Sequence, residues 1–258
     1  MPKVLTERRG SVLVLTLNNP EQYNALAGSL LDELNAALDS AFADDSVRAI
    51  LLTGAGKGFC SGAQLGGDAF NAGERVASLL REQVSPLIEK MRGGDKPIVV
   101  AVNGPAAGAG VGIALAGDVV IAARSARFVL SFVRLGAALD AGTSLFLQRS
   151  IGIARARALA LLGEPITGEQ AAQWGLIWKT VDDAALFDEA FAVAQRFAEG
   201  PPVSIGLIKA QVEAAWSAPL ADALDREAVA QARAFVTEDL REGAAAFVEK
   251  RSPRFAGR

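Results

Sequence analysis

The chain has 258 residues, 51% hydrophobic and 21% charged, which is enough apolar side chain for a sizeable core and excludes a disordered polymer. A formal net charge of -3 argues against a nucleic-acid scaffold or a membrane-surface binder, since both draw on a basic excess. With one cysteine and no histidine, an internal disulfide, the usual zinc ligand sets and every His-based acid/base scheme are excluded, so proton transfer falls to Asp, Glu, Lys, Tyr, Cys or water.

Leu5 to Leu17 is too short and too interrupted by charge to span a bilayer, and no leader pattern opens the chain, so a cytoplasmic location is expected. Ser11 to Asn18, "SVLVLTLN", alternates as a strand does, and "NPEQYNAL" after it carries turn residues. Leu30, Leu31, Leu34, Ala37, Leu38 and Ala41 recur at helical spacing, predicting a helix over 29–42 with Ser29 as N-cap and Asp32 and Glu33 in the first turn. "VRAILLTG" is a short buried strand leading into the glycine-rich "GAGKGFCSGAQLGGD". The plan then repeats: a helix around Arg75 to Met91, a strand from Pro97 to Val102, and "NGPAAGAGVGIALAGD" opening another helix.

"VVIAA" and "ARFVL" add two short strands, giving strand-strand-helix units instead of plain alternation. Beyond Thr143 the pattern is helical: Ser144 to Ser150, Ala154 to Leu162, Gly168 to Trp174, Ala185 to Ala198, Val203 to Trp216, and two more helices toward Lys250. Only Leu176 to Val181 interrupts it as a strand.

Each glycine-rich loop follows a strand and opens toward a helix, so unpaired N–H groups can converge on negative charge. A dinucleotide fingerprint starting at Gly108 fails at Ile113, and one starting at Gly110 fails at Leu115. A Walker loop fails because Gly58 follows Lys57 and Leu51 stands at the first glycine. "GFCSGA" centres Cys60 in a nucleophile-elbow frame with no histidine to activate it, so Cys60 reads as a buried filler. An oxyanion hole, with each loop supplying one N–H to a carbonyl that gains charge, fits both loops.

"GKGFCSGAQL", "AVNGPAAGAGVGIALAGD", "LLGEPITGEQAAQWGLI" and "EGAAAFVEKRSPRF" resemble, in order and over almost the full chain, the signatures of the enoyl-CoA hydratase/isomerase (crotonase) superfamily. The resemblance implies an α/β fold: a spiral of ββα turns over residues 1–195, then a helical trimerisation region over 196–258. It also implies trimers or dimers of trimers and acyl-CoA thioester substrates. No cofactor is implied, coenzyme A being part of the substrate, and no metal, nucleic acid or membrane partner is expected.

The implied oxyanion donors are the backbone N–H groups of Ala63 and Ala109, the latter where the family carries the middle glycine of "GGG"; alanine is acceptable there if its φ stays negative. The resemblance implies substrate contacts at Asn24, Ala25 and Leu26 in the CoA-lining turn, at Ser61, Gln64, Leu65, Pro105, Gly108, Phe132 and Leu139 around the acyl group, and at Phe247 and Lys250 near the CoA nucleotide. Gln64 replaces the family's usual aspartate and is read as structural. Lys250 reads equally as a solvated lysine at a helix end.

Hydratases of the family use two glutamates, and Gly112 and Phe132 occupy their positions here. Asp140, in "LDAGTS", matches the aspartate of family isomerases, notably dienoyl-CoA isomerase and the ring-opening isomerase of phenylacetate breakdown. One carboxylate suffices to move a proton between two carbons, and burial among Leu135, Ala137, Ala138 and Leu139 would raise its pKa toward the working range. The expected function is therefore acyl-CoA isomerisation through a thioester enolate. The rival readings are Asp140 as a cap of the helix near Thr143, a hydratase or hydrolase using Glu82 or Asp68, and a catalytically silent acyl-CoA binder.

Overall fold

The computed structural model describes residues 1–64 and 73–257. A six-stranded sheet runs in the order β1-β2-β3-β4-β6-β9, built from β1 (Val4–Arg9), β2 (Val12–Leu17), β3 (Ala49–Gly54), β4 (Ile98–Val102), β6 (Val119–Ala123) and β9 (Lys179–Val181). Only β1 and β2 pair antiparallel, and every other neighbour pair is parallel. The inner strands are runs of Ile, Leu, Val and Ala buried along nearly their whole length, as a parallel sheet covered on both faces requires.

A second, smaller sheet of β5 (Ala106–Ala107), β7 (Arg127–Val129) and β8 (Ile166–Thr167) lies beside it in the chain's path. Two isolated parallel bridges, Leu26 with Ala63 and Cys60 with Ala106, link further loop segments in the same way. Successive pairs such as β1-β2 followed by α1 (Leu30–Ala43), and β4-β5 followed by α4 (Ala109–Leu115), give the expected strand-strand-helix succession.

Helix α1 buries Leu30, Leu31, Leu34, Leu38 and Ala41, one stripe at i, i+4 and i+8. Ser29 is its N-cap residue but makes no capping bond; its hydroxyl pairs with Glu33 Oε1 instead. The helix around Arg75 to Met91 forms as α2 (Gly73–Leu79) and α3 (Ser85–Gly93), joined by a π-helical segment, Leu80–Val84. Thr143–Leu162 forms α5, broken at Gly152 (φ 76, ψ 163), so the two helices expected on either side of that glycine are separate in direction.

Gly168–Trp174 is α6, started by a reciprocal capping box between Thr167 and Gln170. Helix α7 (Leu186–Glu199) presents Leu186, Ala190, Ala194 and Ala198 to β3, β4 and β6; alanines at this spacing let the helix lie close on the sheet. The expected boundary between residues 195 and 196 falls inside this helix. α8 (Pro202–Ala215), α9 (Leu220–Ala234) and α10 (Glu238–Glu249) follow. α8 is tied to the sheet by Lys209, whose Nζ donates to Asp118 Oδ2 at 2.8 Å and to Met91 O at 2.8 Å.

Four strands differ from expectation. β1 is absent from the sequence reading because five of its six residues are exposed, leaving no alternation to detect on an edge strand. The strand expected over Leu176 to Val181 is confined to Lys179–Val181, since the N–H groups of Leu176 and Ile177 are spent on Ala171 O, closing α6. β5 and β8 are two residues each, below the length that periodicity can reveal. Among the described residues, no helix is long and apolar enough to cross a membrane.

Candidate active site

Two loops meet through the backbone. Phe59 and Cys60 donate their N–H groups to Pro105 O at 3.0 and 3.3 Å, and Ala107 donates to Cys60 O at 2.9 Å. The contact is close enough to require glycine on both sides. A Cβ at Gly110 would lie 2.3 Å from Cys60 O, and one at Gly62 would lie 2.6 Å from Ala107 O and 3.1 Å from Ala109 N. Gly62 also sits at φ +82, in the left-handed region that favours glycine.

This join sets the two amides beside each other. Leu26 donates to Gly62 O at 2.8 Å, which turns the N–H of the next residue, Ala63, to the opposite side. Ala109 is the first residue of α4, so its N–H has no intrahelical acceptor. Among the described residues neither N–H donates a hydrogen bond. Gly108, at φ 53 and ψ -128, takes the unusual conformation at this corner, and Ala109 keeps a negative φ, which resolves how alanine is tolerated at that position.

The remaining expected residues surround this point unevenly. Ser61 donates N–H to Tyr23 O at 2.9 Å and its hydroxyl to Gln22 O at 3.0 Å, tying the loop to the turn before it. Ala25 is buried, Leu26 half-buried, Gln64 and Pro105 exposed. Phe132 is buried with its ring about 4 Å from where a Gly108 Cβ would stand, and Leu139 is half-buried. Leu65 and Asp68 lie outside the described residues.

Asn24 is fully buried with its side chain committed. Its Oδ1 accepts from Asn19 N at 2.8 Å, and its Nδ2 donates to Ala55 O, Gly58 O and Phe59 O at 3.0, 2.9 and 3.1 Å. Its amide therefore shapes the loop and does not face a ligand. Asn103, which sequence reasoning missed, does the same from the other side: Nδ2 donates to Gly56 O at 3.0 Å, and Oδ1 accepts from Gly54 N at 3.2 Å. An asparagine directly after a strand and before glycine was the available signal.

Phe247 and Lys250 are on α10, exposed, with Lys250 ending the helix in a left-handed conformation at φ 54. Glu82 is exposed on the π-helical segment.

Asp140 stands in the turn before α5. Its Oδ1 is buried and has no hydrogen-bond partner among the described residues, and burial pushes its carboxyl up to about 6. The capping alternative is not what the geometry contains. Gly142 is the N-cap residue of α5, no side chain caps that helix, and it is the Asp140 backbone carbonyl that accepts from Thr143 N and Oγ1 at 3.0 and 2.8 Å. The source of burial is also corrected, because Leu135, Ala137 and Ala138 are exposed. Instead the turn packs on α4 at Gly112, one helical turn past Ala109 and so only about 5 Å further along the axis.

Cys60 is buried, with its thiol pushed up to about 12 by desolvation, which leaves it inert as a nucleophile. Among the described residues no cluster of metal-ligating side chains occurs.

The enoyl-CoA hydratase/isomerase family model matches residues 7–258. The chain belongs to the enoyl-CoA hydratase/isomerase family. It is 41% identical to the 1,2-epoxyphenylacetyl-CoA isomerase of Escherichia coli strain K12 over the full length of both chains. It is 44% identical to a protein of Rhodobacter capsulatus named a probable enoyl-CoA hydratase, over 95% of this chain and 94% of that one. Its fold matches the crystal structure of an enoyl-CoA hydratase from Bacillus anthracis with a TM-score of 0.95 and 31% identity, covering both chains fully. The crotonase architecture expected from the sequence is thus the observed one, and an acyl-CoA thioester fits the family.

Proposed function

We propose that the protein is an acyl-CoA isomerase. The carrying observation is Asp140 Oδ1, buried and without a partner among the described residues, on a turn that packs on α4 one helical turn past Ala109; the family resemblance supports this by putting Gly112 and Phe132 where the hydratases carry their acids. The thioester oxygen sits between the Ala63 and Ala109 N–H groups. Asp140, ionised, takes a proton from the carbon next to the carbonyl; the electrons move onto the oxygen, forming an enolate that the two amides stabilise. The proton then returns from Asp140 to the γ carbon as the double bond closes between α and β. One base serves both transfers, so atoms and charge balance without water or a cofactor.

Each fixed amide supplies roughly 3 kcal/mol of transition-state stabilisation. A carboxyl near 6 is ionised at neutral pH yet basic enough to accept a carbon-bound proton once the thioester is polarised. Similarity to an epoxyphenylacetyl-CoA isomerase supports ring-epoxide phenylacetyl-CoA esters as substrates beside 3-enoyl and dienoyl esters. The same reading places the protein in the cytoplasm as a homotrimer or dimer of trimers, with 196–258 as the assembling region; exposed Phe235, Val236, Phe247 and Val248 supply apolar surface for that assembly.

The deciding experiment is turnover of 3-enoyl-CoA, dienoyl-CoA and ring-epoxide phenylacetyl-CoA by wild type and Asp140→Asn, beside crotonyl-CoA as a hydration substrate. Isomerisation lost in the variant, with crotonyl-CoA unhydrated, is the expected result. Full isomerase turnover by Asp140→Asn would overturn the reading.

A further inference from the structure

Nothing attached to the Asp140 side chain orients it: Oδ1 has no partner among the described residues. Its direction is inherited from the backbone turn 140–143, and that turn is unusual. Ala141 and Gly142 take consecutive left-handed conformations, φ 49 and φ 76, and for a non-glycine residue such as Ala141 this is held only by its surroundings. Thr143, itself fully buried, fixes the turn from the α5 side through its two bonds to Asp140 O. On the other side the turn presses on α4. A Cβ at Gly112 would lie 2.2 Å from Ala141 O and 2.6 Å from Ala141 Cβ, distances at which backbone must move.

We propose that Gly112 and Ala141 are positioning residues for Asp140: the bare face of α4 at Gly112 is the seat that holds the left-handed turn. The turn in its seat also fills the volume that a carboxylate at position 112 would need, so the pair fixes reaction specificity. Loss of a glutamate at 112 and gain of a base at 140 are then one packing arrangement and not two independent substitutions. The catalytic half of this inference rests on Asp140 being the base; the packing half does not.

Gly112→Ala tests it. The expected result is that the turn lifts, water reaches the carboxylate, and the Asp140 titration, followed by carboxyl NMR of 13C-aspartate-labelled protein with Asp140→Asn for assignment, falls by about one unit or more. The isomerase kcat falls by about tenfold or more while KM stays within about twofold, as misplacement of a reacting group predicts. Ala141→Gly guards against a folding defect, because it adds no atom and accepts φ 49 freely; it should move the titration in the same direction by less. Asp140 titrating near 6 with unchanged kcat in both variants would overturn the proposal. A lowered Asp140 pKa in Gly112→Ala, alongside full turnover by Asp140→Asn, would uphold the seat and overturn the proposed function.

Discussion

Gly62 packs against Ala109 so closely that a Cβ on Gly62 would stand 3.1 Å from the Ala109 nitrogen. The residue before one proposed oxyanion donor thus abuts the other donor amide itself, although 46 positions of chain separate Ala63 from Ala109. The distance between the donors is set by backbone contact and leaves no room for adjustment by side chains.

Gly62→Ala therefore tests the hole directly. The new methyl meets Ala107 O at 2.6 Å, on a residue with φ +82. Separating the loops by an ångström should cost about 10²-fold in kcat, and the left-handed alanine about 1–2 kcal/mol of stability. Steady-state kinetics and denaturant unfolding measure the two effects separately.

Asp140→Asn should lower kcat by about 10²–10⁴-fold. In wild type, kcat should rise with pH through about 6 and level off above it, because the ionised form is the base.

Stability should move the opposite way. The folded carboxyl titrates at about 6 against 3.8 unfolded, so the native state binds more protons between these values and stability falls as pH rises from about 4 to about 6. Allowing for partial exposure, the ionised group costs on the order of 1–2 kcal/mol at pH 7. Asp140→Asn should then be more stable than wild type at pH 7 and gain nothing below pH 4, as thermal melts at the two pH values would reveal.

Gly112→Glu combined with Phe132→Glu should not create a hydratase. The Cβ of a glutamate at 112 would stand 2.2 Å from Ala141 O, and overpacking of this kind costs about 1–3 kcal/mol. The thioester absorbance of crotonyl-CoA should persist with the double variant, whereas its loss would show that both acids can be housed.

Asn24→Ala should unfold the loop entrance. It takes the side-chain donor from Phe59 O and Ala55 O and leaves Gly58 O to Asn103 alone, at about 2–4 kcal/mol. Activity should fall with stability, in contrast to Asp140→Asn, where the two diverge.

How much of this could be read in advance varies residue by residue. The inner strands and α1 were legible because Leu, Ile and Val repeat at the period of their element; β1 was not, because its "LTERR" faces solvent on an edge. That the loops carrying Ala63 and Ala109 come together was legible from the motifs around them. Asn24 and Asn103 were not legible as clamps, since the carbonyls they hold lie in a loop 31 to 35 residues away in sequence for Asn24 and 45 to 47 for Asn103. Asp140 was legible as a lone carboxylate, but of the apolar neighbours expected to bury it Leu135, Ala137 and Ala138 are exposed and only Leu139 is half-buried. The packing of Ala141 on Gly112 joins two elements, and no local pattern encodes it.

The most direct measurement is solvent deuterium uptake at the α-carbon of a bound acyl-CoA, followed by proton NMR in D2O for wild type, Asp140→Asn and Gly62→Ala. The account predicts rapid exchange in wild type and loss of about 10²-fold or more in each variant. Exchange at the wild-type rate in Asp140→Asn, or in Gly62→Ala with the two loops forced apart, would contradict it.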